Sequence, residues 1–405
     1  MYLSALLAGF FLLALVLLDA FQTIILPRRP VGRFRITRLF FMVTWYPWTV
    51  LVSMLSSRRN REQFYSVYGP LALLLLFIVW ALLLILAYAL IFLGLKTGFA
   101  DPTHPASLLQ VLRSCLYVSG TTLFTLGLGD VQPNGPIARL LLVLESGTGL
   151  GFVALVIGYV PVLYTAFSNR EISVALLDAR AGSPPTAGEL LARHNFSGGH
   201  EALTALLGEW ERWAAGMLET HISYPILCYY RSQHDNQSWL SALTAILDAC
   251  SLLITTVEGP STRQAQLTFA VARHVLVDLG HVFHLESKEQ SYRDRPSIRL
   301  SDDEFGELCH LLSESGFSLC SSADTRLRLS AIRKLYEPHA QAMGEFLHLD
   351  LPQWVPPQPD PNKKADGWKT VAQLRSPSAV ADRIKLHISP RSVASHLSDE
   401  ESHPL

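Results

Sequence analysis

Three stretches of the chain are apolar for long enough to cross a bilayer, which takes roughly 20 residues. They are residues 3–26, interrupted by Asp19; residues 71–95, which carry no charge; and residues 140–167, with a single charge at Glu145. A fourth stretch, 39–55, is shorter and holds Trp45, Tyr46, Pro47 and Trp48. Aromatic side chains of this kind favour the membrane–water interface, so a segment that lies on the inner surface, or dips in and returns, is preferred over a crossing. Between the second and third spans, residues 108–122 have a helical pattern but are too short and polar to cross. Beyond residue 168 the pattern becomes that of an ordinary helical domain. Leu267, Val271, Val275, Leu279 and Val282 predict one buried stripe. Thr186 with Glu189, Ser261 with Gln264, and Ser301 with Glu304 have the spacing of N-terminal capping boxes. No alternating strand pattern of useful length occurs.

Charge adds an orientation. Arg28, Arg29, Arg33, Arg35 and Arg38 follow the first span, and Arg58, Arg59 and Arg61 precede the second. The positive-inside rule puts both groups in the cytoplasm, the N-terminus outside, and everything after Phe167 inside. The first span is read as a retained anchor, since no basic n-region or cleavage site precedes or follows it. Asp19 has two readings, a pair with a nearby arginine or a partly hydrated anchor near the inner interface; the second is preferred.

Composition narrows the rest. Of 405 residues, 49% are hydrophobic and 17% charged, with a formal net charge of -1. No basic stripe, zinc spacing or aromatic RNA-binding motif points to nucleic acid. The five cysteines form no CxxC pair and read as reduced, buried thiols. No nucleophile–base or metal set can be assembled, so neither an enzyme nor a cofactor is expected. His281 and His284 are spaced as a metal pair would be, but no carboxylate or cysteine completes the set; solvated or core histidines are the preferred reading.

The segment Thr125-Leu126-Gly127-Leu128-Gly129-Asp130 lies after the helical run 108–122 and between two spans. It resembles the pore of potassium channels, whose plan is span, pore helix, Thr-Val-Gly-Tyr-Gly-Asp, span. The resemblance covers roughly residues 71–171. It implies an all-α membrane protein with a potassium-channel-like pore module, an added N-terminal span and a cytoplasmic α-helical domain. It also implies a homotetramer in the plasma membrane, because each chain supplies one filter strand. In that comparison Thr125, Leu126, Gly127, Leu128 and Gly129 form the filter. Backbone carbonyls of Thr125 to Leu128 replace the hydration shell of K+, and Asp130 stands at the outer mouth. Glycine permits the backbone conformations that turn carbonyls inward. Two residues depart from the pattern: Leu128 replaces a tyrosine and Phe124 a threonine, which weakens the case for strict selectivity. A weakly selective cation channel and a non-conducting membrane scaffold are the rival readings.

The run Leu144-Glu145-Ser146-Gly147-Thr148-Gly149 is similar to the inner helix of bacterial inward rectifiers. Glu145 is then expected either to brace the filter from behind or to pair with Arg113 or sit near outer water. Bending at Gly149, the inner-helix glycine of the resemblance, or at Pro161 would open an inner gate; close helix packing through the small residues is the compatible and slightly preferred reading. These features divide the chain into an N-terminal helix and basic segment (1–69), a pore module (70–171), a cytoplasmic all-α domain (172–350) and a disordered tail (351–405). The helical domain reads either as an assembly element or as a gate responding to a cytoplasmic ligand, with 186–349 as its core.

Overall fold

Apolar runs without breakers become long helices, and those helices organise the structure. The structure is a computed structural model that describes residues 2–26, 35–96, 107–233, 236–257, 259–294, 299–317 and 323–356. Arg28, Arg29, Arg33, the turn-rich segment 101–105, Cys320 and the tail from 357 onward lie outside the described residues. Helix α1 is Tyr2–Ala20, prolonged by a π-helical turn Phe21–Ile25. Helices α2 (Ile36–Ser53), α3 (Arg58–Gly94), α4 (Leu108–Leu123) and α5 (Pro136–Ala181) follow. Eight further helices run from α6 (Ala187–Arg193) to α13 (Glu337–Leu347). No β-strand occurs among the described residues. Three helices are long and apolar enough to cross a membrane: Tyr2–Ile25, Arg58–Gly94 and Pro136–Ala181. The helix 36–53 is not one of them.

The chain divides into two compact units. The first comprises residues 1–168 together with 219–231. In it, α1 lies directly on α3, because small residues let the backbones approach. A Cβ on Gly9 would meet the Ala87 carbonyl at 2.8 Å, and one on Gly94 would meet Leu6 at 2.6 Å. Helix α3 starts at Arg58, well before the apolar run that marked it in the sequence, and continues through Pro70.

Asp19 corrects the preferred sequence reading. It is buried and accepts hydrogen bonds from Thr37 N (3.1 Å), Thr37 Oγ1 (2.6 Å) and Trp80 Nε1 (3.0 Å). Arg35 Nε lies 3.7 Å away. A carboxylate inside an apolar bundle is tolerated only with such partners, and here they tie α1, α2 and α3 together. The aromatic residues of α2 also turn inward in part: Trp45 packs against Tyr68 (4.6 Å between centroids) and Tyr65 (5.9 Å), while Tyr46 is exposed.

The second unit comprises residues 169–218 and 232–405. Its centre is α8 (Trp239–Thr255), buried along nearly its whole length. Helix α9 (Thr262–Phe283) packs beside it, but through Ala265, Thr268, Phe269, Ala272, Val275, Leu276 and Leu279. Leu267, expected in the stripe, is exposed. Val275 and Leu279 are buried as expected and Val271 and Val282 are half-buried, while nearer the helix start Ala265, Thr268 and Phe269 are the buried residues. Ser301 and Glu304 form the expected capping box, whereas Thr186 accepts from Glu189 N but the Glu189 carboxylate turns to Arg193 (2.7 Å) instead of completing one. Ser261 does not cap its helix: its hydroxyl donates to the His200 carbonyl, and Gln264 bonds Glu211. His281 and His284 are exposed.

A charged cluster locks this unit. Arg299 reaches Asp248 (2.6 Å), Glu337 (3.1 Å) and the Pro352 carbonyl (2.8 Å), and Arg333 also pairs with Glu337 at 3.0 Å. Burial opposes the Arg299 charge, but Asp248 and Glu337 outweigh it and hold the guanidinium above its usual value. Nearby, His339 is buried, with Nε2 3.1 Å from Arg293 Nη2 and Nδ1 3.0 Å from Glu289 Oε1. A guanidinium only donates, so Nε2 accepts and the proton of the neutral ring sits on Nδ1. Burial lowers the His339 pKa below the ordinary 6.5; Glu289 works against this, while Arg293 and Arg273 add to it.

The sign of the resulting pH dependence follows. The folded ring binds a proton less readily than the unfolded one, so this contribution to stability is present above pH 6.5 and is lost as pH falls below it toward the folded value. The full chain in detergent should therefore melt at lower temperature as pH is taken from about 7.5 to about 5.5, and His339→Gln should lose less over the same window. Equal losses in both proteins would remove His339 as the cause.

Candidate functional site: the loop after the short helix

Helix α4 is positioned before the loop that it leads into. Ser107 accepts from Gln110 N and Gln110 Oε1 accepts from Ser107 N, a capping box that fixes the helix start. At its other end, Thr125 N donates to Thr122 O (2.9 Å) and Leu126 N to Thr121 O (2.8 Å). That pair of bonds is a Schellman motif, whose residue after the cap takes a left-handed conformation. The residue here is Thr125, with φ +59°. A β-branched residue at positive φ is uncommon and strained.

Gly127 and Gly129 also have positive φ, +53° and +76°, whereas Leu126 and Leu128 do not. Reversing the sign of φ at every second residue swings successive carbonyls toward the same side, which a regular strand cannot do. Nothing lies within 4 Å of a Cβ built on Gly127, so backbone conformation, and not space within the chain, is what requires glycine there. Phe124, Leu126 and Leu128 are exposed on the single chain. Asp130 follows, accepting from Tyr117 Oη at 2.8 Å, and Gln132 Nε2 donates to the Gly129 carbonyl at 3.2 Å.

Behind α4 lies α5. A Cβ on Gly149 would stand 1.9 Å from the Leu123 carbonyl oxygen, so the two helices meet here at backbone distance. Helix α5 runs unbroken through Gly149 and Pro161. Close packing is therefore what Gly149 provides in this conformation. Glu145 is fully buried and hydrogen-bonds Ser119 of α4, while Arg113, the alternative partner, is exposed. Ser119 Oγ also lies 2.9 Å from the Ile85 carbonyl. One hydroxyl proton thus faces two acceptors, and both bonds are complete when the carboxyl contributes a proton of its own. The second Glu145 oxygen is buried without a partner among the described residues. Tyr88 of α3 bonds Thr148 of α5 at 2.8 Å.

The sequence-expected residues are thus brought together, with Thr125 to Asp130 in one loop and Glu145 and Gly149 against the helix that carries it. Ser119, Tyr117 and Leu123, their direct partners, were not singled out in the sequence, where they are ordinary helix residues. No group of three or more His, Cys, Asp or Glu side chains suited to a metal occurs among the described residues.

Residues 75–165 match the family model described as an ion channel. That segment contains the loop and most of both flanking helices. The chain is 25% identical over 232 residues to an uncharacterized membrane protein of Bacillus subtilis strain 168, YdjJ. This match covers 56% of the chain and 65% of the relative, so the chain spans about 65% of the length of the curated relative it matches. It is longer than the segment 75–165 and extends outside the pore module. No solved structure matches. Residues 75–165 are thus similar to an ion-channel family, in keeping with the resemblance to potassium-channel pores, and the protein is an integral membrane protein.

Removing the Glu145 carboxyl takes one of two partners from Ser119, loses the tie between α4 and α5, and should cost about 1–3 kcal/mol. Glu145→Ala should accordingly lower the melting temperature of the detergent-solubilised protein, whereas Glu145→Gln, which can both donate and accept, should stay near wild type. Gly149→Ala must force α4 and α5 apart and should be worse than Glu145→Gln in the same measurement. A Gly149→Ala protein as stable as wild type would show that the two backbones do not meet.

Proposed function

We propose that the chain is one subunit of a homotetrameric, potassium-selective channel of the plasma membrane, with its N-terminus outside and its helical domain cytoplasmic. The observation that carries this reading is the alternation of positive φ at Thr125, Gly127 and Gly129, directly after a short helix and between two candidate spans. Carbonyls turned to one side are what a dehydrating cation needs in place of water. A single chain presents them on one side only, so four copies around an axis are required to surround the ion. The exposed Phe124, Leu126 and Leu128 support assembly, since a lone subunit would leave three large apolar side chains beside the loop without cover. K+ would pass between carbonyls of Thr125, Leu126, Gly127 and Leu128, entering past Asp130. Glu145 would hold the pore helix through Ser119. Bending of α5 at Gly149 would part it from the Leu123 carbonyl, which links movement of the inner helix to the end of the pore helix. Transport is passive and needs no cofactor; the helical domain would act in assembly or as a gate for a cytoplasmic ligand.

Leu128 favours a second reading. A tyrosine hydroxyl would anchor the loop from behind, and leucine has no polar atom to do so. A weakly selective cation channel is the form this reading takes.

Ion flux through purified protein in liposomes tests both. Potassium flux well above sodium flux, abolished by Gly127→Ala because alanine resists the required φ, is the expected result. Equal fluxes would support the weakly selective channel, and no flux under any condition would leave a membrane scaffold.

A further inference from the structure

Residues 219–231 come from the middle of the helical domain's sequence yet group with the membrane unit. The chain runs along α7 (Gly199–Ser223), forms a 3-10 turn at Pro225–Tyr229, and returns to the second unit at Ser232, ahead of α8 at Trp239. Within the membrane unit this excursion is firmly seated. Ile226, Leu227, Cys228 and Tyr229 are all buried. Tyr229 stacks on Phe41 of α2 at 5.4 Å, meets Trp45 edge-on at 4.9 Å, and contacts Tyr68 of α3 at 5.4 Å. Arg231 lies 4.8 Å over the Tyr65 ring and 3.8 Å from Glu62.

The same segment touches the inner helix on both sides of Pro161. Tyr224 meets Tyr159 at 5.5 Å, and Tyr230 meets Phe167 at 5.6 Å. Ile226 and Leu227 share one apolar core with Leu163 and Ala166. Proline removes an intrahelical hydrogen bond, so α5 bends most cheaply where this segment holds it. The seat is shaped for its occupant: a Cβ on Gly69 would stand 2.7 Å from the Tyr230 ring.

We propose that residues 224–231 form a coupling strap, through which the helices that flank it in sequence, α7 and α8, set the bend of the inner helix at Pro161. The role rests on the channel reading above. One end of the strap continues α7, most of which belongs to the second unit, the other leads through Ser232 toward α8, and between them it grips the helix that lines the proposed pore. A rearrangement of those helices, such as ligand binding would cause, is thereby delivered to α5 around Pro161, beyond the Gly149 contact that holds the pore helix.

The test uses the full chain in liposomes, with Cys309 and Cys320 replaced by serine so that buried Cys228 reports the strap. Tyr229→Ala removes three ring contacts, and Gly69→Val fills the space of the Tyr230 ring. Each should raise the rate of maleimide labelling at Cys228 by roughly tenfold or more. Each should also change the potassium flux per protein several-fold, in the same direction, with the potassium-to-sodium ratio as in the parent protein. Faster labelling with unchanged flux would overturn the strap as a coupling element and leave it an anchor. Unchanged labelling in both variants would overturn the docking. A shifted ion ratio would place the effect at the filter and overturn the assignment to the inner helix. No flux from parent or variants, with Cys228 unmasked in the variants, would remove the channel reading and the coupling role with it, but not the seat.

Discussion

The approach of α5 to the end of α4 at Gly149 is the constraint on which the loop geometry depends. The Leu123 carbonyl can sit against the inner helix only because position 149 has no side chain. One turn earlier along α5, Glu145 takes hold of Ser119, so the pore helix is fixed at two points by the same neighbour. With α4 held, its Schellman bonds define where the chain must leave the helix, and Thr125 is forced into positive φ at that exit. The alternation at Gly127 and Gly129 continues from there. Strain at Thr125 is thus the consequence of a helix held on one side and a loop that must begin at once on the other. Similar strain in an unsupported loop would relax.

What the sequence revealed follows from which forces are local. The existence of the apolar spans, the start of α4 and the capping spacing at Ser301 depend on residues near one another in the chain, and all were readable. The glycines at 127 and 129 were readable because glycine is itself a statement about backbone. Thr125 was not, since its positive φ comes from bonds back to Thr121 and Thr122, and threonine carries no mark of them. The identity of Glu145's partner was equally hidden: Ser119 is one of several small polar residues on α4, and only the rotation of that helix decides which one faces α5. The stripe of α9 was legible at Val275 and Leu279 but not at its start, where Leu267 is exposed, because periodicity gives a repeat but not its exact phase against a neighbour.

Asp19 shows where a sound general preference fails. A lone carboxylate near a span end is most cheaply left in water. Three donors from Thr37 and Trp80, with Arg35 beside them, make burial tolerable instead. Those donors lie on α2 and α3, so the charge binds three helices that apolar contact alone would let slide. Apolar side chains are as content with lipid as with each other, and a buried polar contact is what gives helices in a bilayer a fixed register. The glycine contacts of α1 at Gly9 and Gly94 then set its distance from α3, and Asp19 sets its position along it.

That fixed platform gives the excursion at 219–231 its significance. Rings of Tyr68, Trp45 and Phe41 are held by α2 and α3, which Asp19 locks together, so the seat offered to Tyr229 is rigid. The third wall of the same seat is α5, weakened at Pro161 by a missing hydrogen bond. A segment wedged between two helices tied together by buried polar bonds and a third that lacks such a tie to them meets least resistance from the third. Force applied through the strap can be absorbed by the platform only at the cost of breaking polar bonds in an apolar setting, whereas it can be absorbed by α5 through a change of bend. Compliance, more than contact area, is therefore what selects the inner helix as the part that responds.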